Sequence, residues 1–152
     1  MAGEFDYRFQ VDASVEAVRA FHGSTSVLRK LTPPPTWMQV HRFGELEENM
    51  IAEFTMWLGP IPLRWKALHR DVGPGGFTDV QLEGPMQRWE HHHRFNPLAS
   101  DRCEVHEHID FEHSPGVRGV FTRMLFNPLS LRFLFAYRAW VTRRLAPEAR
   151  PG

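Results

Sequence analysis

The chain has 152 residues, 42% hydrophobic and 24% charged, which fits one globular domain and leaves no length for a second. No apolar run approaches the roughly 20 residues of a membrane span, and the opening MAGEFDYRF has charges where a secretory signal needs an apolar stretch, so a soluble, cytoplasmic protein is expected. The single Cys103 excludes an internal disulfide and any multi-cysteine zinc site. The zero net charge conceals an imbalance: residues 117–152 hold seven arginines and one acid, Glu148. That imbalance is an arginine-lined solvated helix face, or a guide for an anionic ligand, membrane surface or partner.

In chain order, Phe5, Tyr7, Phe9 and Val11 alternate with polar residues as in a half-buried strand. Asp12 or Ser14 can cap a helix over VEAVRAFHG, and a second short helix, SVLRKL, stops at Thr32-Pro33-Pro34-Pro35. From Thr36 the period becomes two, through segments near 37–47, 50–58, 61–72, 76–83, 87–95 and 102–112, separated by Gly, Pro and Asn turn signals that include Gly84-Pro85 and Asn96-Pro97. Gly73 to Gly76 lacks the Lys-Ser/Thr of a phosphate loop and reads as a hairpin turn. After Ser114-Pro115-Gly116 a helical period returns. Asn127-Pro128 kinks or restarts that helix, which then runs to about Leu145 with Leu129, Phe133, Tyr137, Trp140 and Val141 on one face. A domain over residues 1–146 and a loose tail over 147–152 result.

Strand, two short helices, six-stranded meander and long final helix make an α+β chain with a seven-stranded antiparallel sheet. Such a sheet curls, and one helix laid into its concave side leaves a cavity. At this point the chain resembles the helix-grip superfamily called SRPBCC, which includes START lipid-transfer domains, the birch-pollen allergen type and polyketide cyclases. The bacterial, largely uncharacterised ligand-binding branch is the nearest likeness, carried by LTPPP (31–35), FTDVQLEGPMQRWEHHHRF (77–95) and the SPG before the final helix. The resemblance covers residues 4–145 and departs from the branch at Met86, where an aromatic is usual. It implies a helix-grip fold; the superfamily contains carriers, receptors and enzymes, so function must come from the site.

Strand alternation puts Trp89, His91, His93 and Phe95 inside. The neighbouring inward sets are Phe54, Met56, Leu58; Leu63, Trp65, Ala67, His69; Phe77, Asp79, Gln81; and Cys103, Val105, Glu107, Ile109, Phe111. Closing a hairpin over Gly84 to Met86 pairs Gln81 with Trp89 and Asp79 with His91, while Glu107 falls beside Trp89 or His91. Asp79 is expected to accept a hydrogen bond from His91. His92, His106 and His108 fall on the outer face, where they could take up a purification metal.

Several readings of the inner polar row remain open. It is a self-satisfied buried network, or an anchor for the head of a mostly apolar ligand whose body lies against Phe54, Trp65, Phe77 and the final helix, including Phe133 and Tyr137. It is alternatively the His91 and Asp79 acid-base pair of a cyclase or dehydratase. A metal held by His91 and His93 with His69 or Glu107 has permissive spacing, but neither a metal nor a cofactor is expected. The reading adopted is a non-enzymatic carrier of a small hydrophobic lipid, isoprenoid or polyketide-like molecule, with transient contact at a membrane surface and oligomeric state left open. The runner-up is the enzyme, and a third reading is an interaction module using the basic final helix. Nucleic acid is not an expected partner, since the chain has no basic excess.

Overall fold

A computed structural model describes residues 2–42 and 44–149, so 150–152 of the expected tail lie outside the described residues. Seven strands follow one another in the sheet order β1-β7-β6-β5-β4-β3-β2. They are β1 Ala2–Val11, β2 Trp37–Arg42, β3 Ile51–Leu58, β4 Ile61–Gly73, β5 Gly76–Glu83, β6 Arg88–Ala99 and β7 Arg102–Glu112. All neighbours are antiparallel, and only the β1 to β7 contact joins strands distant in sequence.

Two short helices, α1 Val15–Phe21 and α2 Val27–Lys30, fill the connection between β1 and β2. Ser14 caps α1, its hydroxyl accepting from the Ala17 amide at 3.1 Å. The C-terminal helical region is two helices, α3 Gly116–Leu125 and α4 Pro128–Leu145. The chain restarts at Asn127, whose side-chain oxygen accepts from the Ser130 amide at 3.0 Å, with Pro128 at the first helical position. Phe5 of β1 and Trp65 of β4 belong to the same core cluster as Leu131 and Phe135 of α4. The sheet therefore wraps around α4, the helix-grip arrangement. A second core cluster, with Phe9, Val11, Phe95, Cys103 and Val105, packs against Val18 of α1 and Ala139 of α4.

Two expectations need correction. Strand β6 continues through Asn96 and Pro97 to Ala99. Strand β5 covers β6 only as far as Arg94, so the proline, which has no amide to donate, lies beyond the part paired with β5, opposite Cys103 of β7 and beside a register shift. Trp37 opens β2 at 57% exposed.

The second correction concerns α4. Its inward face consists of Leu131, Phe135, Ala139 and Thr142 with Val141 beside them, whereas Phe133 is 65% exposed and Leu129 and Trp140 also face out. Tyr137 is half-buried against Val27, Leu31 and Val141. The helix carries apolar residues on two faces, and the packed one is the set with smaller partners, Ala139 and Thr142, which let the helix approach the sheet.

Candidate functional site: a cavity with a buried imidazole and carboxylate floor

Between the two core clusters a cavity of about 110 Å³ remains. Its apolar walls include Met38, Phe54, Trp65, Phe77, Trp89 and Phe135, and its polar lining is His22, Ser24, Thr25, His69, Asp79, His91, His93 and Arg138. The polar lining comes from three adjacent central strands, α1's C-terminal end with the segment after it, and α4. Strand alternation delivers His91 and His93 together, and the neighbouring registers bring Asp79 opposite His91 and Glu107 opposite His93. Gly76 sits where β5 meets β6. A Cβ there would come within 2.0 Å of the His93 carbonyl oxygen, and its φ of +142° is glycine's territory, so this close approach fixes the edge of the site.

The side chains form a continuous chain, His91 to Glu107 to His93 to Asp79 to His69. His91 Nε2 donates to Glu107 Oε2 at 2.8 Å, and His93 Nε2 donates to Asp79 Oδ2 at 3.0 Å. His93 Nδ1 lies 2.8 Å from the same Glu107 oxygen, and His69 Nε2 lies 3.1 Å from Asp79 Oδ1. These two contacts are close in charge but poorly aligned, leaving His93 Nδ1 and Asp79 Oδ1, with His69 Nδ1, as buried polar atoms without a hydrogen bond. The His91 and His93 rings lie 3.8 Å apart, and Phe77 stacks on His93 at 4.1 Å.

Two imidazolium ions so close would repel each other in a medium of low dielectric, so the charge settles on one ring. Burial opposes charge on His93, but Glu107 and Asp79 on either side outweigh it and raise its pKa to about 9. For His91, burial and the neighbouring His93 charge prevail over Glu107, and its pKa falls to about 4. Burial likewise lowers His22 to about 4, and its Nδ1 donates to the Val18 carbonyl at 2.8 Å. Burial lowers His69 too, against the attraction of Asp79. Burial alone would raise Glu107, but the His93 and His91 partners hold its carboxyl well below the ordinary range. Asp79 is lowered in the same way: burial is the largest single influence and raises it, but the bond and charge of His93 with the charges of His69 and His91 together outweigh it.

The expected site residues are not all brought together. Asp79, His91, His93, Glu107, His69, Trp89, Trp65, Phe54 and Phe77 gather around the cavity floor or walls. Asp79 bonds His93 and not His91, because the strand twist carries the carboxylate past its opposite residue to the next inward one. Gln81 turns away to close the hairpin, its amide donating to the Met86 carbonyl at 2.8 Å and its oxygen accepting from the Met86 amide at 3.3 Å. Phe133 and Tyr137 are outside the lining, on the faces of α4 described above. Four polar lining residues were not anticipated, His22, Ser24, Thr25 and Arg138. Arg138 was legible: it stands at the helical spacing of Leu131 and Phe135, and a charge on a buried stripe is itself a signal.

Among the described residues, two groups bring donor atoms within 4.8 Å of one another, Asp79 with His91 and His93 inside, and Asp6 with His106 and His108 outside. Inside, the Nε2 atoms of both histidines are spent on carboxylates. Outside, Asp6 already accepts from His106 at 2.7 Å and His108 at 3.0 Å, whereas His92 meets Thr78 instead.

No protein-family model and no curated protein sequence matches the chain. Solved structures do. Norcoclaurine synthase from Thalictrum flavum, in complex with dopamine and hydroxybenzaldehyde, is similar with a TM-score of 0.69 at 15% identity, covering 100% of this chain and 90% of that one. An aromatase/cyclase from a Streptomyces species gives 0.72 at 15% identity over 96% of this chain and 94% of its own. A START superfamily protein from Mycobacterium smegmatis gives 0.68 at 12% identity over 93% and 96%. At such identities the likeness concerns the fold alone, and with the sheet order and the gripped helix it establishes that this chain has the SRPBCC, START-like fold.

Proposed function

We propose that the protein binds a small, mostly apolar molecule in the cavity, with the molecule's polar end on the polar side chains that line it. The observation that carries this reading is an unfilled space between aromatic walls that ends on a buried polar network in which His69 Nδ1 has no partner and two more atoms have charged neighbours but no hydrogen bond. A packed core would satisfy or exclude such an atom as His69 Nδ1, because leaving it unpaired costs on the order of 1–3 kcal/mol. A hollow that is part apolar and part polar suits an amphipathic guest better than water alone. The size matters. About 110 Å³ holds several waters and is below the few hundred Å³ typical of ligand sites, so the guest is compact or its entry moves the walls. The solved structures of this fold with aromatic ligands or cyclase names support the same class of guest.

The acid-base reading is weaker on magnitudes. A general base works best with a pKa near the ambient pH. His91 at about 4 is too weak a base, and His93 at about 9 holds its proton between two carboxylates. His91 and Asp79, the pair a catalytic role would need, are not hydrogen-bonded to each other. Native mass spectrometry of the protein purified without denaturant, with displacement of a neutral hydrophobic dye, tests the binding reading. Retained small molecule or saturable dye binding at one site supports it; an empty protein that takes up no dye removes it.

A further inference from the structure

Arg138 differs from the other arginines around the fold. Arg8, Arg88 and Arg102 meet acids on the surface, and Arg19 donates to two backbone carbonyls. Arg138 is partly buried on the inner side of α4 and lines the cavity. Its Nε donates to the Leu31 carbonyl at 3.3 Å, and the guanidinium carbon lies 5.2 Å from the Phe135 ring. Among the described residues it makes no ion pair within 4.0 Å. The two buried acids of the cavity are engaged elsewhere, Glu107 by His91 and His93 and Asp79 by His93 and His69. They attract Arg138 at longer range only, too weakly to offset the burial that lowers its pKa.

A partly buried guanidinium without a carboxylate is a costly arrangement, and drawing a cation out of water is best repaid by a well-placed anion. With Nε tied to a carbonyl, the two terminal nitrogens remain, and their planar fork matches a carboxylate's two oxygens. Phe135 beneath and Leu31 behind hold that fork in place before a ligand arrives, so little orientational freedom remains to be lost.

We infer that Arg138 is an anion clamp and that the cavity's guest is a compact apolar monocarboxylate. This rests on the binding reading above and narrows it to a ligand class. The apolar body lies against the aromatic walls while the carboxylate meets the Arg138 fork. A neutral alcohol of the same length keeps the apolar contacts and loses the charge-assisted pair, and an amine adds repulsion.

The test uses the full chain with butanoate, octanoate and dodecanoate beside the matching alcohols and amines, each displacing a neutral hydrophobic dye. The acid of best-fitting length binds about tenfold or more tighter than its alcohol, and the amine binds weakest. Arg138→Leu erases the preference while dye binding persists; Arg138→Lys, which keeps the charge but not the fork, retains part of it. Acid and alcohol binding equally to the unaltered protein overturns the clamp and spares the cavity reading, and this comparison does not depend on any variant folding. A preference that survives in Arg138→Leu also overturns it. If Arg138 served only to tie α4 to Leu31, Arg138→Leu would lower the melting temperature without changing the ratio of acid to alcohol affinity. Absence of binding by the dye and by every probe removes both readings together.

Discussion

His93 and His91 are two residues apart on one strand, share one carboxylate oxygen and yet titrate in opposite directions. The difference is the second acid: His93 has Asp79 as well as Glu107, and once it is charged its neighbour cannot be. Linkage turns this into a stability profile. An unfolded imidazole titrates near 6.5, so the stability His93 contributes is fully present below that pH and is lost as pH rises toward and through about 9. His91 and His22 have the opposite sign. Their folded values near 4 mean that stability falls as pH drops from 6.5 to 4, where the unfolded chain takes up protons that the folded one refuses. The lowered carboxyls of Glu107 and Asp79 add to the loss at the acid end. Thermal unfolding across pH should therefore show a maximum near 6.5 with a decline on both sides, and His93→Gln should flatten the alkaline limb specifically. A profile still rising at pH 9 in the parent protein would contradict the assignment. Glu107→Gln removes the shared anion and leaves a buried imidazolium with only Asp79. A loss of about 3–5 kcal/mol is expected, with the His93 ring signal in NMR titrating closer to neutral pH.

Helix α4 shows how one element can be identified correctly and oriented wrongly. Its start at Asn127-Pro128 and its end near Leu145 are written in the chain, because cap chemistry is local. Its facing is not, because Leu129, Phe133 and Trp140 form an apolar stripe as good as the one that packs. Periodicity reports that a stripe exists, and only the competition for space against β1 and β7 decides which stripe is inside. The strands were easier. Alternation on β6 and β7 admits two faces only, and the row Trp89, His91, His93, Phe95 could not be divided between them. The partner of each histidine was less legible, since twist decides which inward carboxylate a given ring meets. A paired substitution measures the orientation of α4. Phe135→Ala should cost about 3–5 kcal/mol, as expected for an aromatic residue emptied from a core, whereas Phe133→Ser should stay within about 0.5 kcal/mol by denaturant unfolding. Equal losses at the two positions would mean that the helix is rotated from the facing described.

At the scale of the molecule, the sheet and α4 do not close completely on each other, and the cavity is lined by β2 to β6 on one side and α4 on the other. The existence of a hollow was legible from the order of elements. Its small size was not, since the aromatic side chains that occupy most of the interior set it through their rotamers. Ala52 and Ala67, on adjacent strands and opposite each other in register, are the small residues that keep it open. Ala67→Leu tests the hollow directly, because the same added carbons have opposite effects in the two cases. In a cavity they bury apolar surface at about 0.8 kcal/mol per methylene, so the melting temperature rises or holds while dye and carboxylate binding are lost. In a packed core they force neighbours from their rotamers and destabilise by about 1–3 kcal/mol. Stabilisation with loss of binding requires that the space be real and be the binding site; stabilisation with binding retained would place the guest elsewhere on the fold.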